Sequence, residues 1–178
     1  MFLKKLIVAV LTSCVYCLSG QTAPTGFDAQ MNAFVAAFPS QFESLKGTKE
    51  FMQGDSSRYS WKSKVNLEGA EEVLIAKNLP TDKSLTLIVR YESFDDKATA
   101  QGFYSLLVQK VKGLKLKCCN LTAAEGKEGL KTYTNFTTVP GTAQKGYENM
   151  VIQVKLNDHN YQGGFHFYSV GILIFRKE

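Results

Sequence analysis

Histidine and cysteine, which supply most metal ligands and many catalytic groups, are scarce in this 178-residue chain. The chain has two histidines, His159 and His166, and four cysteines, of which Cys14 and Cys17 lie near the N-terminus. After residue 20 there is no Gly-rich phosphate loop, nucleophile elbow, HExxH pair or CxxC pair. The sequence therefore contains no motif that names a reaction, and it predicts no cofactor.

The apolar run at the N-terminus is too short to cross a membrane comfortably, because a spanning helix needs roughly 20 apolar residues. Lys4 and Lys5 precede the apolar residues 6–11 and 15–18, and the small residues Ser19 and Gly20 follow them. A basic start, a short apolar stretch and small residues at its end are typical of a secretory signal peptide. We therefore predict that residues 1–20 direct export and that the mature chain has no transmembrane helix.

The processing of this segment has two interpretations. Cleavage after Ser19 or Gly20 would release a periplasmic or secreted protein that starts near Gln21. Alternatively, residues 11–14 resemble a bacterial lipobox, in which Cys14 would be lipidated and would anchor an outer-membrane or surface lipoprotein. Residues 15–18 stay apolar, whereas a lipoprotein usually turns polar after its cysteine, so the first interpretation is preferred.

Strong charge of either sign is also missing. The formal net charge is +5, and removal of Lys4 and Lys5 lowers it to +3. Nucleic-acid binders normally show a larger and more clustered positive excess, so we predict no nucleic-acid partner. The remaining residues are enough for one domain with a real core. We predict a flexible lead-in at residues 21–26 and a single globular domain at 27–178.

The apolar spacing predicts an α+β fold of about six or seven antiparallel strands, with two amphipathic helices on one face. Residues 27–45 have helical spacing that Pro39 breaks or kinks, and residues 98–114 form the clearest helix. Seven strands are predicted, at 59–67, 73–76, 85–91, 114–118, 131–139, 150–156 and 165–175. The signals are period-two alternation, a composition rich in Thr, Tyr and Phe, or a continuous apolar run. The order is αβββ–αββββ, with residues 47–57 irregular and 120–130 a loop.

Three finer features belong to this prediction: the position of the last strand, a pair of aspartates and a short internal similarity. The last strand is apolar on both faces, which places it centrally in the sheet, and Gly171 within it indicates a bulge or a close contact. Asp95 and Asp96 could form an acid–base pair, but their position at a helix start explains them through the helix dipole. A short similarity between residues 38–47 and 103–113 hints at an internal duplication.

Cys118 and Cys119 are adjacent, so a disulfide between them would have to close a small strained ring. The simplest interpretation is one buried thiol and one on the opposite face of a short strand, since successive side chains alternate. A vicinal redox switch or a pair of soft-metal ligands is the alternative.

His159, His166 and Asp158 are the candidates for catalysis. If Gln162 and Gly163 form a two-residue hairpin turn, the two histidines face each other across the strands. With Asp158 they could then hold zinc or perform an acid–base step. A third firm metal ligand is missing from the sequence nearby, and a Gly-rich turn with polar neighbours explains the segment without any metal, so we predict no metal site.

Three lysines, Lys112, Lys115 and Lys117, cluster where the second helix leads into a strand. They could contact acidic glycans or lipid head groups. The alternative is a solvated face that protects an edge strand.

Two functions follow from these patterns. The preferred hypothesis is an exported, non-enzymatic domain that binds a protein or glycan partner or supports a cell-envelope assembly. The alternative is a metal-dependent or acid–base hydrolase that uses His159, His166 and Asp158.

The export hypothesis predicts the mass of the mature protein. We expect protein purified from its native host to begin near residue 21, because signal peptidase removes the preceding segment. Intact mass spectrometry of each cell fraction measures this and also detects a lipid on Cys14. Uncut protein in the cytosol, with Met1 retained, would contradict export.

Overall fold

A computed structural model describes residues 24–52, 55–77, 83–160 and 165–177. It contains two α-helices, α1 (Phe27–Ala37) and α2 (Lys97–Lys112), and two short 3-10 turns at Phe38–Ser40 and Glu43–Leu45. The eight strands are β1 (Lys46–Met52), β2 (Asp55–Ser63), β3 (Glu72–Ala76), β4 (Thr86–Arg90), β5 (Leu121–Glu128), β6 (Lys131–Thr138), β7 (Met150–Asn160) and β8 (His166–Arg176). The predicted signal peptide, with Cys14, lies outside the described residues.

All eight strands form one antiparallel sheet in the order β1-β2-β3-β4-β8-β7-β6-β5. Each half of the domain is a helix followed by four strands that pair in chain order, and the halves join where β4 pairs with β8. The predicted α+β class with an antiparallel sheet and two helices is therefore confirmed. The central position predicted for the last strand is also confirmed.

The predicted count and order of strands were wrong at both edges of the sheet. β1 and β5 are edge strands, and they lie in segments predicted to be irregular or a loop. Most of β5 is exposed, so its sequence lacks the buried apolar alternation on which the prediction relied. The predicted strand at 114–118 does not form, and those residues connect α2 to β5 without regular structure.

Helix α1 ends earlier than predicted. Pro39 lies in the 3-10 turn that directly follows α1, because proline cannot donate the next backbone hydrogen bond. Gln41 and Phe42 then adopt left-handed backbone conformations, which is uncommon for residues other than glycine. Phe42 is nevertheless fully buried, so this turn returns its ring to the core.

Helix α2 begins at the predicted place. The Asp96 carboxylate accepts hydrogen bonds from the backbone nitrogen of Thr99 at 2.6 Å and from its hydroxyl at 2.7 Å. These bonds hold the pKa of Asp96 below its ordinary value. Asp96 is thus the cap of this helix, as its position in the sequence indicates.

The core lies between the two helices and one face of the sheet. Alternate residues of the strands point into it, and the helices contribute one apolar side each. Its largest fully buried members are Phe34, Phe42, Phe136, Met31, Leu67, Ile75, Leu87, Met150, Ile152, Ile172 and Ile174. Three further buried residues, Leu74, Val151 and Leu173, lie outside this cluster at the alternate strand positions.

The repeated topology does not follow the short sequence similarity. Residues 38–47 form the 3-10 turns and the start of β1, whereas 103–113 lie in the second half and end of α2. The two segments therefore occupy different places in their respective halves, and their similarity is not the repeat. The repeat is visible only in the arrangement of the helices and strands.

Gly171 in β8 is predicted to be essential for the close pairing of β8 with β4. A Cβ atom there would lie 2.7 Å from the backbone carbonyl oxygen of Val89, so Gly171→Ala should destabilise the fold by about 1–3 kcal/mol through overpacking. Gly102 in α2 is the matched control, because nothing lies within 4 Å of its added Cβ.

Gly102→Ala should instead stabilise the domain by about 0.5–1 kcal/mol, because alanine favours a helix interior. Urea unfolding of both variants measures the two effects. Equal stability of the two variants would contradict this account of the central pairing.

Candidate functional site

The sheet face opposite the helices has a groove of about 1110 Å³, which we call the open-face groove. Residues from six strands, β1, β2, β3, β4, β7 and β8, contribute to its walls and floor. The residues that matter for its chemistry are Leu74, Ile88, Arg90, Lys155, Asn157 and Ser169. Such a groove is of the size that small-molecule sites usually have.

Strand register places charged residues in one row across this groove. Glu72 pairs with Arg90, Arg90 with Gly171, and Gly171 with Lys155. Directly paired residues share a face, so the three charged side chains lie on the open face beside one another. Gly171 has no side chain, and the Lys155 Cε would lie 3.8 Å from an added Cβ at that position. The Lys155 stem therefore lies next to the gap that Gly171 leaves.

The two cations of this row differ in their partners. Arg90 Nη1 lies 3.3 Å from the Glu72 carboxylate. In the described part of the chain, no carboxylate is within ion-pair distance of Lys155. Burial lowers the pKa of Lys155 first, and the positive charges of Lys131 and Arg90 lower it further. Lys155 is therefore an uncompensated, partly buried cation.

The groove floor beside this row is apolar. Leu74 pairs with Ile88, and Ile88 pairs with Leu173. Leu74 and Leu173 are buried although they lie on the face without helices. The open-face groove therefore combines an apolar strip with a cationic row immediately beside it.

A hydrogen-bonded group extends the site along β7 and β8. The Ser169 hydroxyl lies 2.8 Å from His159 Nε2 and accepts a hydrogen bond from Asn157 Nδ2 at 3.1 Å. The His159 ring also stacks on Phe167, with ring centroids 4.5 Å apart. A serine beside a histidine is the arrangement of a nucleophile and a base. Here the same serine is also held by Asn157.

The predicted meeting of the two histidines is wrong. Asn160 pairs with His166, and His159 pairs with Phe167. The register is thus one residue away from that of a two-residue turn at Gln162 and Gly163, which themselves lie outside the described residues. A shift of one residue moves a side chain to the other face of a strand. His159 and His166 consequently lie on opposite faces.

His166 instead meets Asp158. Its Nε2 lies 2.6 Å from Asp158 Oδ1, and its ring lies 4.9 Å from that of Tyr168. Asp158 and Tyr168 pair across β7 and β8, on the face that packs against the helices. The structure therefore brings together two of the three candidate residues and separates the third. In the ranges that it describes, no group of three or more potential ligands is placed to hold a metal ion.

The three candidate lysines are exposed near the end of α2. Lys112 and Lys115 line a smaller cavity of about 480 Å³, together with Val111, Cys119 and Phe136. Lys117 does not line it, and its backbone carbonyl accepts a hydrogen bond from Gln144 Nε2 at 3.0 Å. The predicted cluster is thus divided between this cavity and the turn before β5.

The expected arrangement of the two adjacent cysteines is also wrong. Both thiols are buried, and their Sγ atoms lie 2.9 Å apart. Alternation of side chains applies to strands, and residues 114–120 form none. The two sulfur atoms therefore lie on the same side of the chain.

Sequence reasoning missed Lys155 as a site residue. It lies between the buried residues Val154 and Leu156 of β7, where alternation makes a lysine look like an ordinary solvated position. The available signal was the last strand, which is apolar on both faces and contains Gly171. A central strand of that kind indicates that its outer face is partly enclosed, so a charge on the next strand is desolvated.

Comparison with protein-family models, with characterised proteins and with solved structures finds no match to this chain. In the described ranges no helix has the length and apolar character needed to cross a membrane. The geometry of the open-face groove is therefore the basis for assigning a role.

The uncompensated charge of Lys155 predicts that its removal stabilises the free protein. Lys155→Met keeps a stem of similar length beside Gly171 and removes the desolvated charge. We expect a gain of about 0.5–1 kcal/mol in the free energy of unfolding at neutral pH, a modest value because part of the side chain reaches solvent. Lys145→Met, at an exposed loop position, is the control and should leave stability unchanged.

The pH dependence of this gain has a definite sign. The pKa of Lys155 is lower in the folded than in the unfolded chain, so between the two values the unfolded chain binds more protons. Stability of the parent protein therefore rises as pH rises through the folded pKa, and the advantage of Lys155→Met shrinks. Urea unfolding from neutral to alkaline pH measures both effects. A destabilised Lys155→Met at neutral pH would show that the charge is compensated.

Proposed function

We propose that this protein is an exported, non-catalytic binding domain whose open-face groove holds an elongated ligand with an apolar body and a carboxylate group. The observation on which this depends is Lys155, a partly buried cation without a counter-charge, beside an apolar strip. A ligand carboxylate at Lys155 would supply the missing counter-charge. The apolar body of the ligand would cover Leu74 and Ile88.

The electrostatics favour an anion over a cation or a neutral ligand. Lys131 and Arg90 both act on Lys155 with positive charge, while Glu72 is already bonded to Arg90. Tyr133, which pairs with Lys155 on its other side, has no carboxylate to offer it. Hydrogen bonds between charged partners are roughly twice as strong as those between neutral groups. An anion at this point therefore gains more than any neutral ligand would.

The shape of the site favours an elongated molecule. The groove extends from β1 across the centre of the sheet to β7, and its apolar row and its charged row run side by side. A long-chain fatty acid or a similar amphiphile has the matching chemistry. The proposed export agrees with such a role, because the predicted signal peptide would direct the domain to the cell envelope or the exterior, where lipids are exchanged.

A stabilising substitution at Lys155 would also fit this role. Proteins retain unfavourable groups where function needs them, and replacement of such a group then raises stability and lowers activity. Opposite effects of Lys155→Met on stability and on binding would therefore separate a binding role from a purely structural one.

Binding is tested with dansyl-labelled undecanoic acid and its methyl ester. We expect the acid to bind at pH 7 and to bind Lys155→Met about tenfold or more weakly, since a hydrogen bond to a charged group contributes about 1.5–3 kcal/mol. The ester, which lacks the negative charge, should bind both proteins weakly. Dansyl fluorescence titration measures these affinities, and they should fall as pH rises and Lys155 loses its proton.

Lys145→Met is the matched control, because it removes the same charge away from the groove. If it weakened binding as much as Lys155→Met, the groove would not be the binding site. Equal affinity of the acid and the ester would contradict the proposed role of the carboxylate.

The alternative function is a hydrolase, and the contact between Ser169 and His159 is the observation that favours it. In that case the methyl ester would be converted to the acid during the titration. Mass spectrometry of the recovered ligand detects this. Hydrolysis that is lost in both Ser169→Ala and His159→Ala would replace the binding proposal, whereas unchanged ester supports it.

A further inference from the structure

We propose that Cys118 and Cys119 close to a disulfide between adjacent residues when the protein folds in an oxidising compartment. This inference concerns a site away from the open-face groove. Its occurrence in the cell rests on the proposed export, because cytosolic thiols are kept reduced.

The positions of the two sulfur atoms are the first argument. Their separation of 2.9 Å exceeds the length of a disulfide bond by about 0.9 Å. Both side chains are more than nine-tenths buried, so neither thiol points away into solvent. The sulfur atoms therefore need to approach by less than about 1 Å, and the bond that they form closes the small strained ring of adjacent cysteines.

The backbone around the pair is fixed on both sides. The Cys118 carbonyl accepts a hydrogen bond from the Gln144 backbone nitrogen at 2.8 Å. On the other side, the Asn120 nitrogen donates to the Thr142 hydroxyl at 3.1 Å, and the Asn120 carbonyl accepts from the Val139 nitrogen at 2.9 Å. The loop after β6 therefore holds the turn in the conformation that places both thiols together.

The surroundings disfavour the other chemical roles of a thiol pair. Burial, and then the neighbouring Cys118 thiol, raise the pKa of Cys119 to about 12. Thiolates are the nucleophiles and the metal ligands, so a thiol whose pKa is raised in this way is a poor candidate for either role. In the described ranges no third ligand accompanies the two thiols. Once formed, a disulfide in this position is shielded from reductants.

The reaction balances with a small disulfide as oxidant. A thiolate of one cysteine attacks oxidised glutathione and releases one reduced glutathione, which gives a mixed disulfide. The second cysteine, as a thiolate, attacks the protein sulfur of that mixed disulfide and releases the other glutathione. Two protein thiols are thereby oxidised, two hydrogens leave with the two glutathione molecules, and one S–S bond forms. Because the folded pair is buried, this exchange should occur during folding.

The test uses the full chain with Cys14→Ser and Cys17→Ser, so that Cys118 and Cys119 are its only thiols. The protein is refolded in a glutathione buffer of oxidising composition, unfolded in the presence of iodoacetamide and digested with trypsin without reductant. Trypsin cleaves after Lys117 and Lys127, so residues 118–127 form one peptide that contains both cysteines.

We expect this peptide to be unalkylated and lighter than the dithiol by about 2 Da, the mass of the two hydrogens lost. Single variants Cys118→Ser and Cys119→Ser cannot close the ring and should instead be alkylated or carry glutathione. Double alkylation of the parent peptide, a glutathione adduct on it, or its cross-linking to a second chain would overturn the proposal.

This result is independent of the binding role. The refolding experiment does not depend on where the cell places the protein, and the dansyl titration does not involve the thiols. Failure of either one therefore leaves the other proposal standing on its own observations.

Discussion

The pairing of β4 with β8 is the contact on which the rest of the sheet depends. It joins two four-stranded units that otherwise pair only within themselves. At this point Gly171 lets the backbone of β8 lie close to the Val89 carbonyl, and no larger residue fits without displacing it. The same pairing aligns Arg90 with Lys155 across the gap. One constraint thus determines both the continuity of the core and the charge pattern of the open face.

The two faces of the sheet differ because the helices cover only one of them. On the covered face, alternate strand positions are apolar and form a continuous core with α1 and α2. On the other face, Leu74 and Leu173 are buried, yet charged residues lie beside them. Among these charges Glu72 and Arg90 pair with each other, whereas Lys155 is partly buried and has no carboxylate within ion-pair distance in the described part of the chain. A desolvated cation next to an apolar strip is a state that a bound anionic amphiphile would relieve.

Sequence patterns predicted the interior of this fold and failed at its margins. Both helices and the central strands have buried residues at regular spacing, so their periodicity is visible in the chain. The edge strands β1 and β5 bury little and each pairs only with the strand that follows it, so neither has the buried apolar alternation that marks a strand in the sequence. The prediction that His159 and His166 meet failed because strand register cannot be read from the sequence alone. The register of β7 and β8 differs by one residue from that of the expected hairpin, and this places the two histidines on opposite faces. Lys155 became recognisable only when its cross-strand neighbours were known.

The repeated helix-and-meander topology also bears on how the chain folds. Among the described strands, every pairing except that of β4 with β8 joins neighbours in sequence, which need close only short loops. The central pairing joins segments that are about half the chain apart, so its closure has the largest entropic cost. The two four-stranded units, β1–β4 and β5–β8, can therefore form early and independently. Their docking along the centre of the sheet, through β4 and β8, would be the slow, rate-limiting step.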